Sequence, residues 1–263
     1  MYLDILKKGA LEGGAVLKQY FQKQIEVALK TSIQDIVTVA DHEAQAAIVG
    51  AINKSVKGSF LEGKVGFIGE ENLITKGEYT FVIDPLDGTN NFAIGIDFFC
   101  VAIALFKGNK LLAGLIYDVV RDNFYWGEKG KGAYKNGKKL RIGKNIKIQD
   151  AVLYASPPNV STQRKRILDI IRDVSQSVRT FRMVGSIALE ICRVTEGVGN
   201  LALHGGCNIW DLAASKLILN EAGGVVLDLE GSELKLNLDN IKINYFIAGE
   251  KKLILQFLEL LKK

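Results

Sequence analysis

Proline is scarce in this chain, with three residues among 263. No Pro-rich or Ser-rich stretch divides it, so its parts are expected to pack as one body. Cysteine is equally rare. Cys100, Cys192 and Cys207 form no C-x-x-C pair, and their odd number argues against a disulfide framework. Cys100 and Cys192 lie in apolar runs and read as reduced core residues. No apolar run reaches the roughly 18 residues that would suggest a membrane span. Met1 to Tyr20 alternates charged with apolar positions and lacks the unbroken apolar segment of a secretory signal. A cytoplasmic location without membrane partners is the expectation. There is no arginine-rich arm, and the lysines behind the formal charge of +5 are dispersed, which argues against a nucleic-acid partner. Cys–His and Ser–His nucleophile patterns are missing, as is G-x-x-x-x-G-K-[ST]; Gly127 to Gly132 reads as a hairpin.

A soluble globular protein is indicated by 48% hydrophobic and 24% charged residues. The length allows one large domain or two small ones. Helices are expected over the first twenty residues, weakened by Gly13-Gly14, and from near Asp41 through Ile52. Strands follow at 65–69, 79–83, 98–106, 111–117 and 123–126, with hairpin chemistry at Lys107-Gly108-Asn109-Lys110 and Asn136-Gly137. From about residue 140 strands and helices alternate, closing with a helix from Lys251 to Leu261. The reading is an α/β protein: an α+β half with a largely antiparallel sheet over residues 1–140, then an α/β half over 141–263.

The segment Asp84-Pro85-Leu86-Asp87-Gly88-Thr89 carries the most chemistry. It follows the apolar run Tyr79 to Ile83 and puts two carboxylates three residues apart where that strand should break. Crowded carboxylates raise each other's pKa, and a hard cation such as Mg²⁺ removes that cost. Pro85 stops the ladder, Gly88 lets a ligand approach the backbone, and Thr89 offers a hydroxyl. A strand-end turn with solvated Asp residues is the plainer reading.

Three further segments have equally plain readings when taken singly. Gly69-Glu70-Glu71-Asn72 places two acids after a strand. Asp41 suits a helix N-cap. Asp211, in Trp210-Asp211-Leu212-Ala213-Ala214, suits the first turn of a helix ending near Gly223-Gly224. His42 reads as solvent-facing, Asn208 and Trp210 as pocket-shaping or packing residues.

Together the four segments resemble the lithium-sensitive, Mg²⁺-dependent phosphatases typified by inositol monophosphatase. That family also includes archaeal fructose-1,6-bisphosphatases and 3′-phosphoadenosine-phosphate phosphatases. The motif at 84–89 matches D-P-x-D-G-T, and the stretch from Trp210 to Gly224 matches the family's second signature. The resemblance implies a layered αβαβα sandwich of the sugar phosphatase type. It implies two or three Mg²⁺ ions, held by Glu70, Asp84, the Leu86 carbonyl, Asp87 and Asp211. Asp41 and Thr89 would orient the attacking water beside Glu70. Lys30 loosely matches a lysine of the metal-site loop. A homodimer is also implied, because homodimers are common in the family.

A small phosphate ester is the implied substrate, bound by Asp87, Gly88, Thr89, Gly185, Ser186, His204 and Asp211. Inositol-specific members usually carry a Glu at the position of His204, so strict inositol specificity is weakened. Fructose 1,6-bisphosphate is a second candidate, its other phosphate using Arg179, Arg182 or His204; the nucleotide branch is third. A non-catalytic sensor of metal or inositol phosphate is the competing class. The presence of every expected carboxylate, with Thr89 and Asp41, argues against it.

Overall fold

The computed structural model describes residues 1–23, 27–32, 35–158 and 161–262. Helix α1 (Tyr2–Tyr20) lies along α2 (Val39–Val56), and between them β1 (Val27–Ser32) and β2 (Asp35–Thr38) form an antiparallel pair. Gly13-Gly14 does not interrupt α1. A Cβ on Gly13 would sit 2.6 Å from Ile48 Cγ1 and one on Gly14 2.4 Å from Tyr117 Cε1, so this pair lets α1 approach its neighbours closely.

The chain then builds β3 (Val65–Gly69), β4 (Leu73–Ile74), β5 (Tyr79–Asp87), a short helix α3 (Thr89–Ala93), β6 (Cys100–Lys107), β7 (Lys110–Asp118), β8 (Asn123–Glu128), β9 (Gly132–Lys135) and β10 (Lys138–Lys139). These eight strands form one sheet in the order β10-β9-β8-β7-β6-β5-β3-β4. Only β3 and β5 run parallel; the remaining neighbours are antiparallel. Asn136 and Gly137, at φ 46° and 83°, make the tight β9–β10 turn, the geometry that an Asn-Gly hairpin favours.

The second sheet takes β11 (Val152–Ser156), helix α4 (Ser161–Val174), β12 (Thr180–Arg182), helix α5 (Ile187–Thr195) and β13 (Leu201–His204). After β14 (Cys207–Asn208) come helix α6 (Ile209–Glu221), β15 (Val225–Leu227), β16 (Lys242–Ile243), β17 (Phe246–Gly249) and helix α7 (Lys251–Leu260). The sheet order is β12-β11-β13-β17-β15, parallel across the first three strands and antiparallel thereafter. β14 and β16 pair separately.

Alternation along the strands assigns the layers. Phe81, Ile83, Val101, Ile103 and Leu105 pack with α1 and α2. Their neighbours Val82, Ala102, Ala104 and Phe106 face the opposite way and share a core with α5, α6 and the Ala202 and Ala248 face of the second sheet. Leu153, Leu201, Leu203 and Ile247 form a third core with α4 and α7. The result is the five-layer αβαβα sandwich. Helix α6, in the middle layer, is buried from Leu212 through Leu219, as a helix covered on both sides must be. Among the described residues no helix is long and apolar enough to cross a membrane.

The elements expected from sequence recur with end shifts of a few residues, but one difference matters chemically. β5 does not stop at Ile83; it continues through Asp87. Asp84 stands opposite Ala102 and Asp87 opposite Cys100, so three steps on β5 face two on β6. The bulge that absorbs the extra residue accommodates Pro85 and keeps both carboxylates on one ordered strand.

At the centre of the sandwich, a Cβ on Gly114 would fall 2.7 Å from the Ala214 carbonyl oxygen of α6. Gly114→Val is therefore expected to destabilise the protein by about 1–3 kcal/mol through overpacking. Urea unfolding measures this; an unchanged midpoint would contradict the close α6 contact.

Candidate active site

The carboxyl end of β5, the loop after β3 and the start of α6 open onto one cavity of ≈ 630 Å³. Glu70, Asp84, Asp87, Asp211 and Leu86 line it, with Gly88 and Thr89 at the start of α3. The sequence separates these groups by up to 141 positions, and the two sheets bring them together. Gly88 takes φ 103°, a left-handed turn that glycine adopts without a Cβ clash, and this turn carries β5 into α3.

Each acid is held in its own way. Asp84 is 1% exposed; its Oδ1 accepts the Leu86 amide at 3.0 Å, and the charges of Glu70, Asp87 and Asp211 act on it. Asp211 sits in the first turn of α6, where its Oδ2 accepts the Asn208 amide at 2.6 Å. Asp87 is turned toward α5. Its Oδ2 accepts the Ser186 hydroxyl at 2.6 Å and the Ala188 amide at 2.8 Å, and its Oδ1 accepts the Ile187 amide at 3.2 Å. Ser186 is the N-cap of α5, so Asp87 locks the first sheet onto that helix.

Crowding shows in the proton affinities. Burial, then the charges of Glu70, Asp87 and Asp211, push Asp84 well above the usual carboxylate range. Burial and the charges of Glu70 and Asp87 do the same to Asp211, against the pull of the Asn208 amide. Asp87 rises less far, because the donors from Ser186, Ala188, Ile187 and Cys100 favour its charged form. Among the described residues no three His, Cys, Asp or Glu groups are already set as a complete metal-ligand group. The chemistry of the donors nevertheless fits a hard divalent cation: they are oxygens, Asp84 and Asp87 are buried, and the acids repel one another unless a proton or a cation lies between them.

Asp41 is fully buried at the third position of α2. Its Oδ2 accepts both the amide and the hydroxyl of Thr38, at 2.8 and 2.7 Å, and its Oδ1 accepts the Thr89 hydroxyl at 3.1 Å. The N-cap of α2 is Thr38, not Asp41 as expected from sequence; Asp41 is the N3 residue of the capping box, and that role and the contact with Thr89 coexist in one carboxylate. Thr89 Oγ also lies 3.0 Å from the Leu86 carbonyl.

Not every expected site residue reaches the cavity. Ser186 and His204 are fully buried and lie outside the lining, and the Ser186 hydroxyl is spent on Asp87. Gly185 lines the cavity, but its amide is taken by Glu190 Oε1 at 3.0 Å instead of facing substrate. Arg179 and Arg182 do not line it; the Arg182 guanidinium turns back onto Thr180 and the Phe181 carbonyl. The side chain of Lys30 lies outside the described part of the structure. His42 is solvent-facing, 3.8 Å from Glu71. Asn208 lines the cavity, whereas Trp210 does not.

Other groups went unmarked in the sequence. Gln45, one turn after Asp41 on α2, clamps Glu71 by donating to its carbonyl at 3.0 Å and accepting its amide at 3.1 Å, which steadies the loop bearing Glu70. Asn91 donates to the Phe98 and Val184 carbonyls at 2.7 and 2.6 Å. Lys242 is the one cationic side chain in the lining among the described residues. The i, i+4 spacing of Asp41 and Gln45 was the only available signal for any of these.

Behind the wall, Glu190 is fully buried and burial raises its pKa to about 8. Folding therefore makes it bind a proton more tightly than the unfolded chain, whose value is near 4.5. The stability tied to that proton is complete below the unfolded value, declines as pH rises, and is gone above about 8. His204, lowered to about 3 by burial, is neutral in both states above its ordinary value of 6.5 and adds nothing in that range. Between pH 6.5 and 8 the wild type is expected to lose roughly 1–2 kcal/mol relative to Glu190→Gln. Urea titrations of both proteins across that range give the difference directly, and parallel curves would contradict a protonated Glu190.

A family model described as the inositol monophosphatase family matches residues 2–261. An inositol-1-monophosphatase of Mesorhizobium japonicum is 32% identical over 99% of this chain and 96% of its own length. A fructose-1,6-bisphosphatase/inositol-1-monophosphatase of Aquifex aeolicus is 35% identical over 85% of this chain and 84% of its own. Among solved structures, the extragenic suppressor protein suhB of Bartonella henselae superposes with a TM-score of 0.88 at 30% identity, covering 99% of this chain and 98% of that one.

Proposed function

The chain belongs to the inositol monophosphatase family and is a phosphomonoester hydrolase; from that premise we propose that it cleaves inositol monophosphate and related sugar phosphates with Mg²⁺. The observation that carries the proposal is the crowded set of mutually repelling carboxylates lining one cavity. Glu70, Asp84, Asp87, Asp211 and the Leu86 carbonyl would hold two or three Mg²⁺ ions. Bound there, Mg²⁺ would neutralise phosphate charge and make water more acidic.

The remaining work falls to the chain's own groups. The Thr89 hydroxyl donates its one hydrogen bond to Asp41 or to the Leu86 carbonyl, which leaves its lone pairs to accept a hydrogen bond from water in the cavity. Asp41, fixed by two bonds from Thr38, holds Thr89 in that orientation. The Gly88 and Thr89 amides, at the start of α3, would bind the phosphate. Phosphoryl transfer of this kind needs positioning and charge neutralisation and no covalent nucleophile, which suits a site of Asp, Glu and Thr.

Fructose 1,6-bisphosphate is the second reading. The named activities of the Aquifex relative favour it, and so does Lys242, a cation on the cavity wall that could meet a second phosphate. The family resemblance further implies a homodimer inhibited by Li⁺.

Phosphate release from inositol 1-phosphate, fructose 1,6-bisphosphate and 3′-phosphoadenosine 5′-phosphate, each with Mg²⁺ and with EDTA, tests the proposal and ranks the substrates; parallel reactions containing Li⁺ test the inhibition. Turnover that EDTA abolishes is expected for the first, and EDTA-resistant turnover would overturn the metal assignment. Asp84→Asn is expected to lower Mg²⁺-dependent turnover on the order of a hundredfold or more while the protein stays folded by circular dichroism. Near-normal turnover in that variant would count against Asp84 as a ligand.

A further inference from the structure

His204 and Glu190 meet in the middle layer, directly behind the cavity wall. His204 Nε2 lies 3.3 Å from Glu190 Oε2, and both side chains are fully buried. Among the described residues neither His204 nitrogen nor Glu190 Oε2 makes a hydrogen bond; Nε2 and Oε2 meet only as a close polar contact. A proton shared between them would give each its nearest available partner. The His204 ring also rests 5.1 Å from that of Phe246, its register partner on β17.

The other oxygen of Glu190 faces the cavity side. Oε1 accepts the Ser156 hydroxyl at 2.9 Å, the Gly185 amide at 3.0 Å and the Val184 amide at 3.3 Å. Ser156 and Gly185 line the cavity, and Ser156 is the register partner of His204 on β11. One carboxylate thus ties a strand end and the loop entering α5 to residue 204. The lining continues from Gly185, next to the Ser186 that holds Asp87, to Ser156, so the alcohol portion of a phosphate ester would lie against this stretch.

We infer that Glu190 and His204 are a buried positioning pair that fixes the Ser156 and Val184–Gly185 wall, so that residue 204 sets leaving-group preference from behind that wall without touching substrate. The inference rests on the phosphatase reading for its substrate consequence only; the positioning itself is a property of the fold. A carboxylate at 204 would press a second acid against Glu190 in a buried site. The two would have to share a proton or move apart, and either response shifts the wall. An apolar residue at 204 would remove the polar group 3.3 Å from Oε2 and loosen the same carboxylate.

The test uses the full-length protein and two readouts. The first is hydrogen–deuterium exchange over a peptide covering Val184 to Ile187. His204→Leu and His204→Glu are expected to speed exchange there by about tenfold, whereas Glu190→Gln stays close to wild type because its amide oxygen keeps the three donors and its amide nitrogen can donate to His204. Unchanged exchange in both His204 variants would overturn the inference whatever the enzyme hydrolyses. The second readout is the ratio of kcat/KM for inositol 1-phosphate to that for p-nitrophenyl phosphate, whose leaving group has no hydroxyls for the wall to recognise. His204→Glu is expected to lower this ratio by about tenfold through KM, and adding Glu190→Gln to restore it. If residue 204 touched substrate directly, His204→Glu would raise the ratio whether or not Glu190 were changed, and that result would overturn the inference. A proportional fall for both esters would reduce the pair to general stability and also overturn it. Failure of the wild type to hydrolyse either ester would instead sink the phosphatase reading, with the exchange result still deciding the positioning.

Discussion

Repulsion among four carboxylates in one buried cavity is the constraint on which the rest of this structure depends. Glu70, Asp84, Asp87 and Asp211 come from three separate parts of the chain, and their charges act on one another. Left to themselves such groups would move apart or bind protons. The sandwich prevents separation by anchoring each to a different rigid element. Asp84 is fixed by the β5 bulge, Asp211 by the first turn of α6, and Asp87 by the amide end of α5. Holding like charges together costs stability locally, a cost that the three apolar cores offset.

The same anchors join the two sheets. Asp87 belongs to the first sheet, yet its hydrogen-bond partners are Ser186, Ile187 and Ala188 of the second half. Asp211 opens the helix that packs against both. The first sheet ends at Lys139 and the second begins at Val152, and the cavity is lined from both sides of that division.

How far sequence reasoning reached follows from what each residue does. Asp84, Asp87 and Asp211 were legible because acids at a strand end and at a helix start, beside Gly and Pro, form a local pattern. The layers were legible because apolar residues alternate along β5 and β6. The bulge was not, since Pro85 reads locally as a strand stop and only pairing with β6 carries the strand past it. Gln45 and Asn91 escaped notice because their partners are backbone groups far away in sequence, and nothing in a side chain's identity reveals such a partner. His204 illustrates the opposite failure. Its position suggested a substrate contact, but its side chain points inward to Glu190, a carboxylate that sequence alone reads as part of an ordinary amphipathic helix.

The central claim is that the crowded carboxylates exist to bind a divalent cation. Calorimetric titration of the metal-free protein with Mg²⁺ near pH 6, repeated in two buffers of different ionisation enthalpy, tests it most directly. Burial and mutual repulsion raise the proton affinity of Asp84 and Asp211, so cations compete with protons there, and a saturable heat that differs between buffers, with net proton release, is the predicted result. Absence of saturable binding, or binding with no proton release, would contradict the account.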